Sequence, residues 1–559
     1  MLLTRAQALR SARLLFVLAL LCAALFAALL VAFATPALAK EVEIPKFVDP
    51  LPIPALAQPL SVDPGTGVPT YHITMTQFQQ QMAHNLPPTT VWGYGGSVPG
   101  PVIAVTKGVP AIITWDNELP TTPLLAIDHS LMGAGTDVPD VRAVVHVHGA
   151  HVPPAIDGLP EQWFTPGNSV TNTYPNDQRA ANLIYHDHAM GVTRLNVYAG
   201  LIGGYVIVDP AQDALKLPTG KFDVPLVVQD KTFNRNNASP NFGQLVYPKV
   251  WVPEYFGDTI IVNGKAWPYE KVQPRRYRFR VWNGANDRFF NFRFSNGMTF
   301  YQIGTDGGLL LHPAKLHHLV LGPGERADLV VNFAAHKGER ITLTNNARAP
   351  YPMGDPVDDD TSKVMQFRVS KTAVHDSSRL PFTLSADVPT AASMVAQRVV
   401  ARDITLGEVP DITHPDPEAP NEYQPMPLLE GKSYMDAVDI TPKLGTTEVW
   451  RYINLTGDMH PMHEHDVMNR IVKRVPFNVE AYWRDKVIGK QKDLDDYFTG
   501  PPVKPAANED GWKDTVQCPP GYVTFVVMKF TDFTGQYVLH CHILSHEEHD
   551  MMRPFEVRP

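Results

Sequence analysis

The sequence predicts an all-β protein made of several sandwich domains, and three observations carry that prediction. The chain has 559 residues, too many for one small core and enough for about three domains on a length prior. Prolines outnumber glycines, 52 to 38, and punctuate short apolar runs rich in valine, isoleucine and phenylalanine, the pattern of sandwiches with many short strands. Long runs of helical periodicity are few.

The elements follow in order along the chain. Arg5, Arg10 and Arg13 precede an apolar stretch from Leu14 to Ala34, and Ala37-Leu38-Ala39 offers a small-residue cleavage site. Residues 1–39 therefore read as an export signal, and a periplasmic or extracellular location is expected. The stretch is about twenty residues, long enough to span a bilayer, so membrane attachment through an uncleaved leader is the alternative. The leader has no Arg-Arg pair, which argues against export of a prefolded protein. Val102-Ile103-Ala104-Val105, Ala111-Ile112-Ile113-Thr114-Trp115 and Tyr205-Val206-Ile207-Val208 are expected strands. Boundaries near Asp209-Pro210 and between Lys371 and Pro381 give domains at 40–210, 211–375 and 376–559. Within the third, Pro410 to Glu422 and Lys490 to Asp510 read as exposed loops.

Composition excludes some functions. A formal charge of -9 is modest for this length. The one arginine-rich stretch after the leader, Arg275 to Arg280, alternates like a strand with a solvated face, so no nucleic-acid partner is expected. Past the leader only Cys518 and Cys541 remain, which excludes a disulfide framework despite a permissive location. Cys518 is expected to be a buried free thiol.

The chemistry lies in the histidines. Four runs contain most of the clustered ones: His146-Val147-His148, His186-Asp187-His188, His460-Pro461-Met462-His463-Glu464-His465, and His540-Cys541-His542 followed by His546 and Met551. A single H-x-H pair reads equally well as two satisfied imidazoles on a half-buried strand. Four such runs meeting at a domain boundary would instead deliver eight imidazoles to one cavity. Imidazole with Cys and Met sulfur selects copper over magnesium or calcium. On a strand Cys541 faces one way while His540 and His542 face the other, so one strand end could touch two metal centres. Cys541, His546 and a distant histidine would make a His2Cys trigonal site with Met551 as weak axial ligand. Other residues keep plainer readings. His151 and His549 are expected to be exposed imidazoles or to support neighbouring ligands. His317 and His318 point to opposite sides of a strand, and the histidines of His546-Glu547-Glu548-His549 stand three apart where a zinc-protease helix needs four.

With those runs in place the chain resembles the multicopper oxidases, which include laccases, bilirubin oxidases and spore-coat-type bacterial laccases. The resemblance covers nearly everything after the leader. It extends to Trp92-Gly93-Tyr94, Pro99-Gly100-Pro101, Ile260 to Pro268, Gly322 to Asp328 and Met551 to Phe555. Tyr185 to Met190 and Arg194 to Gly200 are closest to the spore-coat and bilirubin-oxidase branch. The resemblance implies three cupredoxin-like Greek-key β-sandwich domains and four coppers per chain. It implies a type 1 copper on His460, Cys541 and His546 with Met551 axial, a type 2 copper on His146 and His463, and a type 3 pair on His148, His186, His188, His465, His540 and His542. It further implies one-electron oxidation of phenols, aromatic amines or bilirubin-like donors coupled to four-electron reduction of dioxygen to water. Asp157 and Glu547 are the candidate catalytic carboxylates that relay protons. The partners are a small-molecule donor and dioxygen, and a monomer is expected. Two rival readings remain: a metallo-oxidase for Cu(I) or Mn(II), the former weakened by the lack of a dense Met-rich insertion, and a non-catalytic copper-binding envelope or coat protein.

Overall fold

A computed structural model describes residues 41–395, 399–416 and 423–559, so the export signal read at 1–39 lies outside the described residues. No helix among the described residues is long and apolar enough to cross a membrane. The strands form six sheets that pack in pairs, giving an all-β chain of three cupredoxin-like sandwiches. Alternation sets the pairing: in Ala111–Asn117, residues Ala111, Ile113, Trp115 and Asn117 are buried and the residues between them only partly so. That face packs on Tyr185, Tyr205 and Ile207 of the opposing sheet, as expected of stacked sheets with interdigitating inner faces.

The three sandwiches repeat one topological device. In each, a long early strand pairs in parallel with a later one: Pro69–Gln80 with Ala111–Asn117, Asp223–Phe233 with Arg276–Asn283, and Val399–Pro415 with Thr447–Asn454. Parallel neighbours require a crossover connection rather than a hairpin. The repeat is therefore one of connectivity, which local sequence patterns do not display.

Two sheets carry the histidine runs. In the first sandwich Val145–His148 pairs antiparallel with Asn182–Asp187, setting His146 opposite His186. In the third, His460–Glu464 pairs with Gly535–Cys541, setting His463 opposite His540 and Met462 opposite Cys541. The period of two then sends His460 and Cys541 into the third core with Met462 and Met551. His463, His465, His540 and His542 face the first sandwich.

Three expectations need correction. Residues 410–415 are not loop but the end of the strand Val399–Pro415, with Asp411 and His414 buried; residues 417–422 lie outside the described residues. Between Lys490 and Asp510 a short 3-10 turn buries Leu494 and Tyr497, so that segment is only partly exposed. The arginine strand has no freely solvated face: Arg278 is buried against Asp328, and Arg280 pairs with Asp223.

Candidate metal centres

His460, Cys541 and His546 converge first. Cys541 Sγ lies 3.5 Å from His460 Nδ1 and 3.7 Å from His546 Nδ1, and all three are buried. His460 is fixed from behind by Thr456 Oγ1, 2.7 Å from its Nε2. His546 sits on the short helix Leu544–Glu548 that follows the strand end. Met551 is fully buried in the same cluster. Its N–H donates to the His546 carbonyl at 2.9 Å and its carbonyl accepts from the Cys541 N–H at 3.0 Å, so this turn returns Met551 beside the cysteine. Burial lowers His460 to about 3, leaving a neutral donor, and pushes the Cys541 thiol well up. A cation is what deprotonates such a thiol in place.

The other eight histidines gather where the first and third sandwiches meet. His188, His465 and His540 form one buried group, and His148, His186 and His542 another. His146 and His463 bridge them, at ring separations of 5.3 Å from His188 and 6.0 Å from His542 respectively. Their tautomers follow from fixed acceptors. Nδ1 of His146, His186, His463 and His540 each donates to a backbone carbonyl, of Asp157, Asp187, Asp514 and Cys541. A carbonyl only accepts, so each Nε2 carries a lone pair. His465 Nδ1 donates to Asp157 Oδ2 at 2.7 Å, which leaves its Nε2 lone pair 3.3 Å from that of His540. Two facing lone pairs repel unless a cation lies between them. Nε2 of His146, His186 and His463 finds no partner at all though fully buried. Neutral imidazoles held by their other nitrogen are how histidine ligates metal, so the residues fit copper at both centres.

Both candidate carboxylates are buried at this cluster. Asp157 follows a 3-10 turn, and Gly158 beyond it has φ +88 with no room for a side chain, since a Cβ would lie 2.6 Å from the Val145 carbonyl. That close approach presses the Asp157 carbonyl onto His146. Glu547 lies 3.1 Å from His540 Nδ1 and 3.6 Å from His188 Nε2. Burial, then the charge of Asp466, pushes Asp157 well up. Burial also opposes ionisation of Glu547, but His540 and His188 outweigh it and hold the carboxyl well below its usual range.

Several partners were invisible in sequence. Asp514 Oδ1 accepts from His148 Nε2 at 3.0 Å while its carboxylate takes both terminal nitrogens of Arg326 at 2.5 Å. Glu548 pairs with Arg194 of the first sandwich, and His549 is buried against Asp411 rather than exposed. His151 bridges Asp466 and Asp532. His317 and His318 lie away from both centres, with His318 on Asn291. Cys518 is a buried free thiol.

A sandwich protein with a cysteine-histidine centre beside an eight-histidine cluster is built as a copper oxidoreductase. Multicopper oxidase family profiles match residues 74–212, 210–349 and 405–559. The chain is 42% identical over 534 residues to a laccase of Bacillus subtilis, covering 92% of this chain and 98% of the relative. It is 37% identical over 551 residues to a multicopper oxidase of Arabidopsis thaliana, covering 91% and 92%. The crystal structure of a laccase from Pediococcus acidilactici superposes with TM-score 0.72 at 26% identity, covering 93% of this chain and 95% of that one. The chain belongs to the multicopper oxidase family.

Proposed function

We propose that this is an exported laccase-type oxidase that couples one-electron oxidation of phenols, aromatic amines or bilirubin-like donors to reduction of dioxygen to water. The carrying observation is Cys541, in contact with His460 and His546 while its chain neighbours His540 and His542 belong to the eight-histidine cluster. Bound copper would supply one-electron acceptance at the first site and four-electron oxygen reduction at the second, with one type 1, one type 2 and two type 3 ions. His460, Cys541, His546 and Met551 would hold the first ion. His146 and His463 would hold the type 2 ion, and His148, His186, His188, His465, His540 and His542 the type 3 pair. Asp157 and Glu547 would hand protons to the oxygen site, both being hydrogen-bonded or ion-paired to its histidines. The domains of this reading run over 40–210, 211–375 and 376–559.

One observation favours a second reading, a metal-ion donor. The charges of Asp458 and Glu408 reach Glu254, and that of Glu254 reaches Cys541; burial together with this repulsion pushes Glu254 well up and Glu408 to about 7. None of the three carboxylates pairs with a lysine or arginine among the described residues. Carboxylate oxygens suit a hard divalent ion such as Mn(II) or Fe(II) better than soft Cu(I). Oxygen uptake with a phenol, bilirubin, Cu(I), Mn(II) and Fe(II) tests both readings. Glu254→Gln with Asp458→Asn should depress turnover of the divalent ions and spare the phenol; a protein that oxidises none of these donors while holding four coppers overturns the oxidase reading.

A further inference from the structure

A second group of metal-ligating side chains lies outside both copper centres. Asp411 and His414 come from the end of the strand Val399–Pro415, and His549 from just beyond the helix that carries His546. All three are buried, at 4%, 2% and 6% exposure, while the intervening Ile412 is 77% exposed, so the group sits just under the surface with a short route in. Asp411 Oδ2 lies 2.5 Å from His549 Nε2 and also contacts His414 Nδ1. The two rings stand 5.2 Å apart, the same separation as His460 and His546.

We propose that Asp411, His414 and His549 bind one further divalent transition-metal ion of borderline softness, Zn(II) or Cu(II). Two imidazoles with one carboxylate are a mixed nitrogen and oxygen donor set of the kind such ions take.

The surroundings are those of ligands. His414 Nε2 faces Ser130 Oγ at 2.8 Å and Asp128 Oδ2 at 3.3 Å, so its proton is drawn to that side and Nδ1 is presented to Asp411. A carboxylate behind a ligating imidazole is the usual support of a metal-bound histidine. Asp128 is itself fixed by the Trp251 N–H at 2.7 Å. The Asp411 oxygen away from the histidines accepts from Thr413 N at 2.8 Å and Oγ1 at 2.6 Å, and Thr413 Oγ1 also lies 2.9 Å from His414 Nδ1. The Trp251 ring covers His549 at 4.2 Å. Neither Asp411 nor Asp128 makes a direct ion pair with a lysine or arginine among the described residues, although the charge of Arg194 reaches Asp128, and a divalent ion would balance the carboxylate charge at the histidines. Such an ion would brace, from outside, the turn that carries His546 and Met551.

The test uses the full, copper-loaded chain after chelating resin has removed loosely held ions. Titration with Zn(II), followed by desalting and elemental analysis, should find one zinc per chain in addition to the copper. His414→Gln and Asp411→Asn should lose that zinc while keeping colour and copper content. Asp128→Asn, which leaves all three donors in place, should weaken zinc binding by about 10- to 100-fold. Wild-type protein that retains neither zinc nor any copper beyond the four of the two centres, or extra metal retained equally by His414→Gln and Asp411→Asn, overturns the assignment and leaves a hydrogen-bonded His-Asp-His chain.

Discussion

Met551 and Cys541 share one buried cluster, but their roles separate under substitution. Met551 is positioned by two backbone hydrogen bonds that a leucine would retain, and leucine nearly conserves its volume. Met551→Leu should therefore keep the blue absorption and raise the reduction potential, as a weak thioether donor to Cu(II) is lost; a colourless variant would give Met551 a structural role instead. Cys541→Ser should abolish the thiolate-to-copper band and nearly all turnover, and a variant that stays blue would refute the type 1 assignment. Glu547 allows a finer test. Its carboxylate reaches His540 and His188 but none of the type 1 donors, so Glu547→Gln should leave reduction of the type 1 site by a donor intact and slow reoxidation by dioxygen. Stopped-flow measurement of the two half-reactions, with copper content checked, separates this from general damage, which slows both.

Among the elements, the helix Leu544–Glu548 with its trailing residue shows what sequence can and cannot convey. Four consecutive residues leave it in four directions: His546 to Cys541, Glu547 to His540, Glu548 to Arg194 and His549 to Asp411. The histidine runs were legible because strand geometry converts their spacing directly into faces. Glu548 and His549 were not, because Arg194 and Asp411 are 354 and 138 positions away and no local pattern announces them. The end of the strand Val399–Pro415 was misread for a similar reason: its proline and acid content matches a loop, and tertiary pairing overrides that preference. His151 joins elements in a way that pH can probe. Its Nδ1 lies 2.9 Å from Asp466 Oδ1 and its Nε2 3.0 Å from Asp532 Oδ2. Burial would lower it, but hydrogen bonding and charge from Asp466, then Asp532, raise it to about 9. A folded pKa above the unfolded value means the stabilisation is complete below about 6.5 and is lost as pH rises through about 9. The stability of the copper-free protein should thus fall by on the order of 2–3 kcal/mol across that window. His151→Gln should flatten this part of the unfolding profile; an unchanged slope would place the titration elsewhere.

For the whole molecule, the site exists only if three sandwiches stay docked, and a buried charge network at their junction does the docking. Arg326 and Asp306 belong to the second sandwich, Lys513 and Asp514 to the third, and Arg326 also donates through Nε to the Asn182 carbonyl of the first at 2.8 Å. Arg326 grips Asp514 with both terminal nitrogens, while Lys513 bridges Asp306 at 2.9 Å and Glu325 at 3.0 Å. Gly324 nearby has φ +77 and lies against His542, where a Cβ would come within 2.6 Å of the ring, so the same turn that carries Arg326 also backs a histidine of the cluster. Removing one partner of a buried pair strands the other charge, at a cost of about 3–5 kcal/mol. Asp514→Asn keeps size but strands Arg326 and deprives His148 of its carboxylate. The copper-free variant should unfold at lower denaturant. Its transitions should also separate, with fluorescence and circular dichroism midpoints diverging as the second sandwich comes free, where the parent protein unfolds more cooperatively. The loaded variant should lose copper from the eight-histidine cluster before the blue site, because His148 is anchored through Asp514 whereas His460 is anchored through Thr456. Coincident midpoints at parental stability, or loss of blue colour first, would show that the sandwiches are held together by other contacts.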